Sequence, residues 1–92
     1  MATVQVRLPG LLAQILGGSK QIEVQADTLQ GALDRLLVDY PALKVHLYDE
    51  SGQLRPHVNL FYNDTNSRWL SSLEVPVHDG DTVTVMQAVS GG

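Results

Sequence analysis

The chain has 92 residues, a formal net charge of −4 and no cysteine, with 43% hydrophobic and 17% charged residues. This composition suits one small folded domain and is wrong for a disordered chain or a bilayer-spanning one. The absence of Cys excludes disulfides, thiolate metal sites and a cysteine nucleophile. The basic residues, Arg7, Lys20, Arg35, Lys44, Arg55 and Arg68, are scattered and form no stripe of the kind nucleic acid needs.

In chain order, Thr3 to Leu8 alternates, with Val4, Val6 and Leu8 on one face and Thr3, Gln5 and Arg7 on the other. That period of two predicts a half-buried strand. Pro9-Gly10 breaks it. Leu11 to Leu16 is apolar and is read as a loop with one helical turn folding back on the core, and Gly17-Gly18-Ser19 as a turn. Gln21 to Gln25 alternates again, which makes an N-terminal hairpin with the first strand. No charged start followed by an apolar run marks a signal peptide, so the expectation is a cytoplasmic protein.

Asp27 is placed as the cap of the main helix, with Gln30 completing a capping-box pattern. Leu29, Leu33, Leu36, Leu37 and Tyr40 then fall on one stripe at a 3.6-residue period, and Pro41 ends the run. Gly31, inside the helix, is either tolerated at a cost of about 1 kcal/mol relative to Ala or required by close packing. Ala42 to Pro56 is read as a long connection turning at Asp49-Glu50-Ser51-Gly52.

His57 to Asn63 is the next strand, with Val58, Leu60 and Tyr62 on one face and Asn59, Phe61 and Asn63 on the other. Asn63-Asp64-Thr65-Asn66 is a turn. Arg68-Trp69-Leu70 is read as a short extended piece with Trp69 packed at the edge of the core. Asp79-Gly80-Asp81 turns into the final strand, Thr82 to Gln87, with Val83 and Val85 inward and Thr84 and Met86 outward. The whole is an α+β arrangement, a mixed sheet of four to five strands with one main helix on one face, in which the last strand can pair parallel beside the first. Residues 1–92 are expected to form a single domain with a flexible tail at about 88–92.

Three stretches carry a family resemblance: ADTLQGALDRL, HVNLFYND and HDGDTVTVMQAVSGG. Together with the element order they resemble the ubiquitin-like β-grasp sulfur carriers of the MoaD/ThiS family, and HVNLFYND is most similar to the carriers that serve cysteine biosynthesis. The resemblance implies that the chain is no enzyme but a protein cosubstrate. A ubiquitin-activating-type enzyme would spend ATP to adenylate Gly92, and sulfur would then convert the adenylate to a thiocarboxylate. No cofactor and no metal would be bound by the chain itself. The implied partners are that adenylating enzyme, a sulfur-accepting synthase (cysteine-synthase-like, or the molybdopterin synthase large subunit) and a zinc metalloprotease for release of product. Nucleic acid and membrane are not among them. The molybdopterin synthase small subunit and a protein modifier forming isopeptide bonds are the alternative roles.

Physical chemistry gives this tail a rationale. An α-carboxylate is an anion at neutral pH and must be activated before it can accept a nucleophile. Gly91 and Gly92 carry no Cβ and fit a channel that admits only backbone, which is where water can be kept from the reacting carbon. Ala88, Val89 and Ser90 with the two glycines reach roughly 17 Å when extended. Phe61 and Met86, outward on strands expected to be neighbours, form a small apolar patch at the root of the tail, suited to a partner or else an ordinary cross-strand pair. His46, His57 and His78 match no metal or catalytic spacing.

Overall fold

The computed structural model describes residues 1–87; the tail expected at 88–92, and with it Ala88, Val89, Ser90, Gly91 and Gly92, lies outside the described residues. Five strands form one sheet: β1 (Ala2–Arg7), β2 (Gln21–Ala26), β3 (Val58–Tyr62), β4 (Thr65–Asn66) and β5 (Thr82–Gln87), in the order β2-β1-β5-β3-β4. β1 pairs antiparallel with β2 and parallel with β5, and β3 pairs antiparallel with both β5 and β4. The α+β arrangement and the parallel pairing of first and last strands are therefore as expected. Alternation decides the faces: Val4, Val6, Ile22, Val24, Val58, Leu60, Val83 and Val85 are buried on one side, and their neighbours point to solvent.

The main helix, α2 (Leu29–Asp39), covers the buried face. Leu29, Leu33 and Leu36 are almost fully enclosed, each stabilising the fold by about 1.5–3 kcal/mol through burial, while Leu37 and Tyr40 pack partly against the same core. Its N-terminus corrects the sequence reading. The cap is Thr28, not Asp27: Thr28 Oγ1 accepts from the Gly31 N–H at 3.0 Å. The other first-turn donors also find partners, Leu29 N–H on Val75 O at 3.0 Å and Gln30 N–H on Leu73 O at 2.8 Å. Asp27 instead faces outward, its carbonyl taken by the Val77 N–H at 3.1 Å. The Leu73–Val77 loop threads beside the helix start and takes these donors, while the Gln30 side chain closes no capping box and donates instead to Asp34 Oδ1 at 2.8 Å. Gly31 is settled in favour of close packing, since a Cβ there would lie 3.3 Å from the capping oxygen of Thr28 and 3.6 Å from Ala26 Cβ.

Two further short helices complete the core, the first being the helical turn expected after Pro9 and the second lying where the sequence suggested a long connection. α1 (Gly10–Ile15) buries Leu12 and Ala13. A 3₁₀ turn at Pro41–Leu43 leads into α3 (Lys44–Leu47), and Leu43 and Leu47 are fully buried. The Asp49 turn stands as expected, its carboxylate accepting from Ser51 N–H, Ser51 O–H and Gln53 N–H. The Arg68-Trp69-Leu70 piece is not a strand: Thr65–Asn66 pairs instead, and Ser67–Trp69 forms a 3₁₀ turn capped by Asn66 Oδ1 on the Arg68 N–H at 2.9 Å. Trp69 is 82% exposed and packs against no core edge; the tight turn carries its side chain outward while Ser67 and Leu70 turn in.

Candidate functional site

β5 leads directly to residue 88, so its placement sets where the tail begins. It is a central strand, held on both sides. The Gln5 N–H donates to Asp81 O at 2.8 Å from β1, and the Asn63 N–H donates to Thr82 O at 2.7 Å from the β3 side. Val83 and Val85 are buried beneath it. A pull or a push on the tail root is thus borne by the ladders of two neighbouring strands, not by a frayed edge.

The start of β5 is fixed by a cluster of polar side chains. Tyr62 Oη donates to Asp81 Oδ2, the His78 N–H donates to the same oxygen at 2.8 Å, and Asn63 Nδ2 reaches Asp81 Oδ1 at 3.4 Å. Asn63 Oδ1 in turn accepts from the Thr82 N–H at 2.9 Å, from a backbone at φ 54°, a left-handed conformation that Asn tolerates. The hydrogen bond from Tyr62, then that from the His78 backbone, holds the Asp81 carboxyl below the usual carboxylate range. Partial burial, then the Asp81 hydrogen bond and charge, push the Tyr62 phenol up to about 12.

At the other end, Gln87 of β5 is level with Val58 at the start of β3, and Met86 with Asn59. Phe61 lies opposite Thr84, so Phe61 and Met86 are diagonal neighbours on the solvent side of the sheet. Met86 is 51% exposed and Phe61 is partly buried. Arg68 braces the same strand, its guanidinium donating to Val58 O at 2.9 Å and reaching Asn59 Oδ1 at 3.4 Å. On the β1 side a shallow cleft of about 260 Å³ runs past Arg7, Leu8, Pro9 and Met86. The sequence reading put Arg7 on the outer face of β1 and Pro9 at its end but assigned neither to a site; the parallel pairing of β1 to β5 brings them there. The exposed Trp69 was missed outright, because nothing in RWL distinguishes an extended piece from a tight turn.

The three histidines stand apart. His46 lies on α3, His57 just before β3, and His78 in the turn before β5, where its Nδ1 is 3.7 Å from Asp81 Oδ2. Among the described residues no three His, Asp or Glu side chains gather as metal ligands, and no helix is long and apolar enough to cross a membrane.

Comparison with known proteins places this geometry. Residues 6–92 match the ThiS family model. The chain is 35% identical over 91 residues to the sulfur carrier protein CysO of Mycobacterium tuberculosis, covering 97% of this chain and 98% of that one. Among solved structures, a chain of the Amycolatopsis orientalis BexX/CysO complex superposes with a TM-score of 0.81 at 34% identity, covering 97% of this chain and 99% of that one. SAMP1 of Haloferax volcanii gives a TM-score of 0.81 at 29% identity, over 99% and 100% of the two chains. The five-stranded mixed sheet with its main helix is thus a β-grasp fold.

Proposed function

The chain belongs to the ThiS family of ubiquitin-like sulfur carriers, and from that premise we propose that its working group is the carboxylate of Gly92. An adenylating enzyme turns one carboxylate oxygen into part of a leaving group, with AMP departing when sulfur attacks the carbonyl carbon. The product is a thiocarboxylate, whose sulfur then passes to a small-molecule acceptor. We favour an acceptor on the route to cysteine. The observation that carries this reading is the near full-length match to CysO, with the family match running through Gly92 itself. The fold supports it: β5, which ends at Gln87, is a central strand of the sheet, anchored at its start by Tyr62 and Asp81. The patch of Phe61 and Met86, with the cleft beside Arg7 and Pro9, is the docking surface proposed for the activating enzyme. That a relative occurs in a two-protein complex supports docking of this kind.

The test is an intact-mass measurement of the full chain incubated with ATP, a ThiF-type adenylating enzyme and sulfide. The expected result is a gain equal to one oxygen replaced by sulfur, located on Gly92 and absent when Gly92 is deleted. A mass that never changes would sink the reading. The likeness to SAMP1, a small archaeal modifier, favours one second reading, in which the same activated carboxylate is captured by lysine amines. Cross-linked ladders on denaturing gels, with no thiocarboxylate, would select it.

A further inference from the structure

The sheet has one long open edge among the described residues, that of β2, which β1 separates from β5. The register makes each β1–β2 partner pair sum to the same position, and the Leu8 N–H bonds Lys20 O at 2.8 Å. Hydrogen-bonded pairs alternate in an antiparallel ladder, so Ile22, Val24 and Ala26 turn their backbone groups toward β1. Gln21, Glu23 and Gln25 turn theirs outward. β1 confirms this parity, since the backbone of Thr3 and Gln5 is used on the β5 side. β2 therefore presents three N–H and three C=O groups along its free side, unpartnered among the described residues. No proline or bulge blunts this edge, and β4, at the opposite edge, has only two residues.

Beside this edge runs a groove. One end, of about 420 Å³, is walled by Thr3, Glu23 and Gln25 of the sheet and by Arg35 and Asp39 of α2. It continues past Asp27, Gly31, Asp34 and Val38, the last of these 71% exposed. The groove is acidic: Glu23, Asp27, Asp34 and Asp39 face Arg35 and the amino group of Met1. Arg35 is already bound to Asp39 at 3.2 Å, and the Met1 amino group lies 3.6 Å from Asp27. A second copy of the chain is a poor occupant. The full antiparallel register of two β2 edges sets Glu23 opposite Glu23, and each copy carries a net charge of −4.

We propose that the β2 edge is a second docking surface, which takes an extended, lysine- or arginine-bearing segment of a partner protein as an added strand. Main-chain bonds to Gln21, Glu23 and Gln25 supply affinity. The carboxylates of the groove select cationic side chains, and Val38 with the apolar stems of the groove receives alternate apolar ones. This surface is independent of the sulfur-carrier reading and leaves the Phe61–Met86 patch unobstructed.

The probe is a capped hexapeptide of alternating Lys and Val, titrated into the isotope-labelled full chain. Amide shifts are expected at 21–26 and along the 34–39 face of α2, with slowed exchange at the Gln21, Glu23 and Gln25 amides. Replacing the peptide lysines by glutamate should weaken binding about tenfold or more, and raised salt should weaken the Lys peptide. N-methylation of the peptide's pairing amides should abolish binding at unchanged composition. No shifts, shifts centred elsewhere, or equal binding of the Lys and Glu peptides would overturn the proposal. Edge protection that grows with protein concentration without peptide would also overturn it, in favour of self-pairing.

Discussion

Asp81 shows how one side chain can hold a strand in register. Its two oxygens collect donors from Tyr62, His78 and Asn63, which belong to the end of β3 and to the turn before β5. Tyr62→Phe removes the strongest of these donors and should lower stability by about 1–2 kcal/mol, read as a shift of the urea midpoint at unchanged slope. The pH dependence follows from the direction of the shift. Asp81 is more acidic in the folded chain than in the unfolded one. Its contribution is therefore present in full above the unfolded value of about 4 and is lost as pH falls through the lower folded value. Thermal midpoints measured from neutral pH down into the acid range should fall less steeply for Asp81→Asn than for the native chain. For Tyr62 the folded value is raised instead, so its contribution is complete below about 10 and disappears as pH climbs toward about 12.

At the level of the element, the start of α2 moves the cap by one residue from where the sequence reading placed it, from Asp27 to Thr28. Asp27 and Thr28 are both good caps. Only Thr28 accepts a first-turn N–H, while the Asp27 side chain is 77% exposed. Thr28→Ala should cost about 1 kcal/mol and depress the thermal midpoint by roughly 4–8 °C, whereas Asp27→Ala should change it little. Equal losses from the two substitutions would reject the assignment. The short helix α3 makes a second case. Leu47 is 1% exposed and closes the core from a segment that carries no amphipathic stripe of its own. Leu47→Ala should cost about 2–5 kcal/mol by leaving a cavity, a large share of the whole margin of a domain this small. Chemical denaturation measures it.

For the molecule as a whole, the two ends of β5 differ: its start is anchored by Tyr62 and Asp81, and near its end Met86 lies beside Phe61 in a partly exposed apolar patch. A charge placed on that patch should harm binding and spare the fold. Met86→Asp is the cleaner probe, because Met86 is half exposed, and Phe61→Asp should add a modest stability cost from its partial burial. Either substitution should weaken binding to the adenylating enzyme about tenfold or more, the scale of about 1–2 kcal/mol expected of an interface anchor. Titration calorimetry with a folded variant checks this, and an unchanged affinity would move the docking surface elsewhere.

Short-range patterning on its own settled much of this protein. Alternation at Thr3–Leu8, Gln21–Gln25, His57–Asn63 and Thr82–Gln87 marked four strands and their buried faces, and the leucine stripe marked α2 and its end at Pro41, because burial on one side imposes its period on the chain. The resemblance of three stretches pointed to the family that the comparisons establish. Tertiary structure decided what depends on neighbours distant in sequence. Thr28 caps the helix because the Leu73–Val77 loop occupies the space beside Asp27, and Leu43 and Leu47 are helical because the core has a gap there to fill. Trp69 faces solvent because Asn66 closes a tight turn before it. The outer edge of β2 is open because β1 takes its inner side and no other described strand reaches the outer one, which sheet order decides and no local pattern encodes.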